Sequence, residues 1–263
     1  MSTLIDSHTH IFPEKVVDKA MAALEAAYGA QPLIRPTVSN LIAHMDQTGV
    51  DSAVICPVAT NPEQVRSINH WMVSLASERL IPLGALHPAD PRWDEQIEFL
   101  VDHGIRGVKF QPHFQEFELL ASATLKKLEK LAGRLVVVLH AGQEIEPIEH
   151  VEPSPQRLLK LHRRLPELRF IAAHLGGYQM WDEVEHYLVG EDIYLDTAFV
   201  FNKASDEQIA RIIRNHGPQR ILFASDFPWQ SPSEVLDGLN RLDLSEEQRT
   251  MILGGNAARL LGL

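Results

Sequence analysis

Residues 134–142 read RLVVVLHAG, and the order within that stretch decides the fold. Val136–Leu139 is an apolar run too short for a helix and without polar alternation. Such a run suits a strand buried on both faces, as in a parallel sheet covered by helices. It ends on His140, a titratable group set directly after four apolar residues, where burial demands a partner.

The same grammar recurs on both sides. Upstream lie TLIDSHTH (3–10), DSAVICPVA (51–59), LIPLGALHP (80–88) and IRGVKFQP (105–112); downstream lie RFIAAHLGG (169–177), DIYLDTAF (192–199) and RILFASDFPW (220–229). Helical patterns fall between them, at 38–48, 62–78, 91–103, 120–132, 155–164, 205–216, 232–241 and 245–261, with a shorter one at 181–188. Pro91 and Pro232 stand where a first helical turn tolerates proline, and Gly49, Gly104 and Gly217 stand where helices stop. Eight β–α units in 263 residues predict an α/β protein, a (β/α)₈ TIM barrel forming one domain over residues 1–263. Residues 11–37 form an insertion after the first strand and are expected to make a lid. The rival, an open doubly wound sheet, lacks its usual glycine-rich turn after the first strand.

The formal charge of −11 is spread along the chain, which argues for solubility and against general attraction to nucleic acid. One cysteine, Cys56 in the apolar run SAVICPV, excludes an intramolecular disulfide and a cysteine-rich zinc site, and reads as a small buried hydrophobe. The N-terminus MSTLIDSHTH shows no signal peptide, and no run approaches the roughly 20 apolar residues of a membrane helix. The expected setting is the cytoplasm, with no membrane partner.

Each run is apolar first and polar last, and in a parallel barrel all C-terminal strand ends share the face that carries the chemistry. His8, His10, His87, Lys109, His113, His140, His174, Asp196 and Asp226 should therefore converge on one rim. His8 and His10, at i and i+2 of a strand, offer two imidazoles to one ion. His140 and Asp226 join them as expected metal ligands. His174 belongs to the site either as ligand or as an acid/base that positions water. Lys109 pairs with a carboxylate, binds an anionic substrate or, if carboxylated, bridges two metals. His87, His113 and Asp196 are divided between support and substrate contact, and Phe12, Phe199 and Trp229 are candidate pocket walls. The other seven histidines, His44, His70, His103, His150, His162, His186 and His216, fall on helices or their loops and are expected at the surface.

Three neutral imidazoles and one carboxylate suit Zn²⁺ or another borderline divalent metal. An open coordination position would lower the pKa of bound water to about 7, with His174 and Asp226 handling protons.

Taken in order, DSHTH (6–10), GVKFQP, LHAG, AHLGG, SDFPW and GGNAARLLGL (254–263) resemble the amidohydrolase superfamily. The likeness is to its branch of small barrel hydrolases related to aminocarboxymuconate-semialdehyde decarboxylase. It covers nearly the full chain. It implies metal ligation by His8, His10, His140 and Asp226, with His174 orienting or activating the water. Lys109 stands where two-metal members place a carboxylated lysine; one metal is the main reading and two the runner-up. The closing GNAARLLGL reads as a helix packed on the barrel, with a structural role.

The resemblance implies a metal-dependent hydrolase of an amide, ester or lactone bond in a small molecule. The alternative is a non-oxidative decarboxylase of a carboxylated aromatic or unsaturated acid, which uses the same constellation. The modest 11–37 insertion tilts the expectation toward a compact hydrolase. A barrel with structural zinc acting as a binding module is the remaining reading; structural sites are usually closed by four ligands. Lys109, Arg35 and Lys203 are candidates to receive an anionic substrate. A homodimer is expected by analogy with relatives alone.

Overall fold

The computed structural model describes residues 3–29 and 31–263, so Met1, Ser2 and Ala30 of the expected barrel lie outside the described residues. The strands are β1 (Ile5–Thr9), β2 (Ser52–Ile55), β3 (Leu80–Pro82), β4 (Gly84–Ala85), β5 (Gly107–Phe110), β6 (Val136–Leu139), β7 (Phe170–Ala172), β8 (Tyr194–Asp196) and β9 (Ile221–Leu222). All pairings are parallel, in the orders β1-β2-β3 and β4-β5-β6-β7-β8-β9.

The expected third run thus arrives in two pieces. Pro82 has no N–H to give a ladder, and Gly84 lies where a Cβ would meet the Leu100 side chain at 2.4 Å. Between them Leu83 N–H still donates to Ile55 O at 2.9 Å, so β3 and β4 act as one stave. The ring closes on the other side. Ser7 N–H donates to Phe223 O (2.9 Å), Asp226 N–H to His8 O (2.9 Å) and His10 N–H to Phe227 O (2.7 Å), with a parallel bridge between Thr9 and Phe227. The result is the predicted barrel.

The helices are α1 (Val17–Tyr28), α2 (Val38–Thr48), α3 (Gln64–Leu75), α4 (Trp93–Asp102), α5 (Ser122–Glu129), α6 (Pro155–Arg164), α7 (Trp181–Tyr187), α8 (Asp206–His216), α9 (Pro232–Arg241), α10 (Glu246–Thr250) and α11 (Asn256–Leu261). The sequence predicts one helix over 245–261; a π turn at Met251–Gly255 divides it. A Cβ at Gly254 would lie 2.1 Å from Thr3 O, so this segment passes close against the chain entering β1. Asn256 Nδ2 donates to Pro218 O and Ile221 O, each at 2.7 Å, and fastens α11 below β9. The structural role read for GNAARLLGL matches these contacts.

Both faces of the strands are buried, in two distinct layers. Along β6, Val137 and Leu139 pack outward with Phe110, Leu158 and Leu161, while Val136 and Val138 join Ile5, Val54, Ile171 and Leu222 inside the barrel. Leu260 and Leu261 of α11 plug that interior cluster. Each such leucine is worth about 1.5–3 kcal/mol of burial. Period-two alternation then sends the next inward position of β6, His140, to the open end above the plug.

Within the 11–37 insertion, α1 forms as a helix beside the open end. Arg35 holds its first turn, with Nε and Nη2 donating to the two Asp18 oxygens (2.7 and 3.1 Å) and Nη1 to Glu14 Oε2 (2.5 Å).

Candidate metal centre and cleft

Period two also turns Lys109 and Asp196 inward, since Val108, Phe110 and Leu195 pack outward. Asp196 is 1% exposed and connects two staves. Its Oδ2 accepts from His8 Nδ1 at 2.9 Å, and its Oδ1 accepts from the His174 and Ala198 backbone N–H groups at 2.8 and 3.1 Å. His8 is thereby held with its proton on Nδ1 and its Nε2 lone pair turned to the cleft. Lys109 Nζ donates to that lone pair at 3.0 Å, and Asp226 Oδ1 stands 3.6 Å from it. His10 Nε2 is 3.2 Å from the same Asp226 oxygen.

His8, His10 and Asp226 present ligand atoms within 4.8 Å of one another, a group able to hold a metal ion. His140 is not part of that compact group. It faces His174 instead, with His140 Nδ1 and His174 Nε2 3.1 Å apart. The other ring nitrogens settle the tautomers. His174 Nδ1 meets Ala198 O at 2.9 Å and His140 Nε2 meets Gln143 O at 3.2 Å; a carbonyl only accepts, so both nitrogens carry the protons. Burial pushes the pKa of His140, and of His8, well below its ordinary value, which keeps these rings neutral. With both rings neutral, these tautomers turn the two nearby nitrogens' lone pairs toward the same space. That arrangement suits a cation.

The backbone that aims these groups is unusual. His174, Leu175 and Asp226 hold φ of +57°, +54° and +68°, left-handed values that non-glycine residues keep only where their surroundings impose them. Inward-facing Ile171 makes Ala173 the next inward position, so the left-handed turn is what brings His174 over the barrel. The loops after β6 and β7 meet at Gly142 (φ +86°), where a Cβ would sit 2.2 Å from Tyr178 N. Gly142 is therefore required for the approach of the His140 and His174 loops.

Charges around the centre are shifted by burial first. Burial pushes the Asp226 carboxyl up, but the contacts that favour its ionised form, led by the His10 hydrogen bond, outweigh it and hold Asp226 below the usual range. Burial lowers Lys109 and raises Asp196, and it pushes the Cys56 thiol up to about 12, in keeping with an inert buried hydrophobe.

The centre opens into a cleft of ≈ 1370 Å³. Phe12, Phe199 and Trp229 line it as expected, as does His113, which is exposed at its rim. His87 does not line it; its Nδ1 accepts from Ala89 N–H at 3.1 Å, a local structural role. Arg35 and Lys203 do not line it either, since Arg35 fastens α1 and Lys203 lies over the Phe199 ring. Among the histidines expected at the surface, His216 is 2% exposed: Nε2 donates to Ile193 O at 2.7 Å and Nδ1 accepts from Gly190 N–H at 3.3 Å. A helix-borne histidine on the barrel-facing stripe of α8 carries no sequence mark to tell it from a surface one.

Sequence reasoning missed a polar wall of the cleft. Glu144 is 6% exposed, accepts from Gln111 Nε2 at 2.8 Å and lies with Oε1 3.6 Å from His140 Nε2; burial raises its pKa. Gln115, itself anchored to Ala59 O and Leu86 O, receives Gln111 N–H and fixes the wall. The position of Gln111 directly after the β5 run was the available signal.

A family model described as amidohydrolase matches residues 5–263. No protein of curated function matches the chain in sequence. Among solved structures the chain is similar to 5-carboxyvanillate decarboxylase from Sphingomonas paucimobilis, at 18% identity over 100% of both chains, with a TM-score of 0.76. It is also similar to a dihydroxybenzoic acid decarboxylase from Polaromonas sp. JS666 with bound manganese, at 18% identity, 100% of this chain, 98% of that one and a TM-score of 0.74. A third is an amidohydrolase from Burkholderia multivorans with bound zinc, at 17% identity, 99% of both chains and a TM-score of 0.73. At such identities these structures establish the shared barrel. The family rests on the model matched over nearly the whole length, and on that ground the chain belongs to the amidohydrolase family.

Proposed function

We propose that this chain is a metal-dependent hydrolase that cleaves an amide, ester or lactone bond of a small molecule at the open end of its barrel. His8, His10, His140 and Asp226 would hold one divalent cation, zinc in this reading. The observation that carries it is the 3.1 Å approach of His140 Nδ1 and His174 Nε2 beside the compact His8–His10–Asp226 group. A cation bound there supplies Lewis acidity to water and to the substrate carbonyl.

The chain's own groups do the rest. Asp196 keeps the proton of His8 on Nδ1, so Nε2 stays a donor of electrons. Asp226, held ionised, receives the proton released from water at its carboxylate, and His174 Nε2 takes that proton up and passes it on toward the leaving group. Phe12, Phe199 and Trp229 exclude water around an apolar substrate body, and His113 meets its outer part. Lys109 either stays an ammonium that attracts an anionic group or, carboxylated, joins a second metal. The substrate in this reading is a small molecule rather than a nucleic acid or a lipid surface, supported by the charge of −11. We place the protein in the cytoplasm, as a homodimer.

A second reading is favoured by the aromatic walls of the cleft: decarboxylation of a small aromatic acid, the reaction named for two of the similar structures. Stripping the protein with a chelator, reloading zinc or manganese and running matched panels in ¹⁸O-labelled water separates the two. Label in the acid product of a lactone, ester or amide supports hydrolysis. Release of CO₂ from a hydroxybenzoic acid with no label uptake overturns it in favour of the second reading. Metal content and anomalous scattering give the number of ions and the state of Lys109.

A further inference from the structure

Two buried residues have no part in the chemistry above, yet they tie β1 to the turn that carries Asp226. Asp6 is 1% exposed and Ser225 fully buried. Asp6 Oδ1 accepts from the N–H groups of His8 (3.3 Å) and Ser225 (2.9 Å), and its Oδ2 accepts from Ser225 Oγ–H at 2.5 Å. Ser225 Oγ in turn accepts from Phe227 N–H at 3.0 Å, so the hydroxyl spans Asp226 on both sides.

That turn needs holding. Asp226 keeps φ at +68°, a left-handed conformation uncommon for an L residue, and the neighbouring bonds hold it there. The bonds of Asp6 and Ser225 close around it, while Asp226 N–H donates to His8 O at 2.9 Å. One carboxylate thereby fixes the backbone of His8 and the backbone flanking Asp226, the two sides of the His8–His10–Asp226 group.

We propose that Asp6 and Ser225 form a positioning clamp that keeps Asp226 in its left-handed conformation and so sets the spacing of the groups that receive the divalent cation. The clamp rests on the reading of that group as a cation site. A pair that merely closed the barrel would support the stability of the fold without touching affinity for the ion; a clamp on the donor set acts on both.

The test is zinc affinity, measured by competition with a chelating dye, alongside thermal unfolding of the metal-free proteins. Wild type, Asp6→Asn, Ser225→Ala and the double variant are compared. Ser225→Ala leaves Asp6 Oδ2 and Phe227 N–H without partners and should weaken zinc binding by about 10–100-fold, the usual effect of removing a group that supports a ligand. Asp6→Asn keeps the shape and should cost less. The double variant should bind about as weakly as Ser225→Ala, because both changes break one linkage. Zinc affinity within twofold of wild type in the folded variants, with lowered melting temperatures only, overturns the clamp and leaves a barrel-closing pair. If Ser225→Ala does not fold, Asp6→Asn decides alone. Wild type that binds no zinc overturns the cation site and the clamp together, whereas tight wild-type binding with unaffected variants overturns the clamp only.

Discussion

The two ends of the same staves obey opposite rules. Below, Val136, Val138, Ile171 and Leu222 fill the barrel and are sealed by Leu260 and Leu261, an apolar cluster. Above, the continuations of those strands carry His140, His174 and Asp226, with facing lone pairs and left-handed backbone. The lower end contributes stability and the upper end consumes some of it, as expected where function imposes strain. Stability and chemistry should therefore separate by mutation along a single stave.

The largest expected effect breaks the upper end. His140→Ala should lower metal retention and turnover by at least about a hundredfold, the upper end of what losing a mere supporting partner costs. Unfolding of the metal-free protein should change far less than metal retention, because His140 lies at the open end, outside the apolar cluster that fills the barrel. Metal analysis per chain and urea unfolding check both halves. A variant with full metal content would remove His140 from the ligand set.

The converse change sits on β9, below Asp226. Leu222→Ala should cost about 2–5 kcal/mol in urea unfolding through the lost burial and the cavity left behind. Metal per folded chain should stay at the wild-type level. Loss of the metal alongside stability would show that the two ends are coupled more tightly than this separation allows.

A smaller effect comes from a titratable group away from the cleft. Burial lowers the His216 pKa, and the bond that Nδ1 accepts from Gly190 N–H requires the neutral ring. The unfolded chain takes up this proton as pH falls below the ordinary histidine range while the folded one resists. The stabilisation is thus complete above that range and lost as pH falls through it toward the lowered folded value. His216→Gln should flatten the fall in melting temperature between pH 7 and pH 5. An unchanged slope would remove His216 as its source.

The smallest effect concerns the insertion. Arg35→Ala releases Asp18 in the first turn of α1 and Glu14 just before it, all three exposed, so the melting temperature should hardly move. A rise in KM of a few-fold, shrinking at high salt, is expected if α1 covers the cleft. An unchanged KM would make the insertion a fixed wall rather than a lid.

Much of this was legible beforehand because strand periodicity is local. A run such as Val136–Leu139 announces burial on both faces, and period two carries the inward direction to His140, Lys109 and Asp196. Gly49, Gly104 and Gly217 marked helix ends and adopt the positive φ that ends demand. Legibility failed where direction depends on a distant partner. His216 could be placed only once Ile193 and Gly190 lay beside it, and Glu144 only once Gln111 was seen to hold it. The interruption of the last helix at Met251–Gly255 follows from the passage of Thr3 against Gly254, a contact between the two ends of the chain.

By itself, then, the sequence determined the barrel, the polar rim at its open end and the residue types that meet there, since each follows from short-range pattern and parallel geometry. Only the tertiary structure decided which lone pairs face each other, through carbonyls that choose tautomers from 3 and 24 residues away. It also decided that His174 turns inward and that Asp226 is held by Asp6 and Ser225 across 219 residues of chain. Those outcomes depend on backbone conformations that the residues do not prefer on their own, and only the closed barrel can impose them.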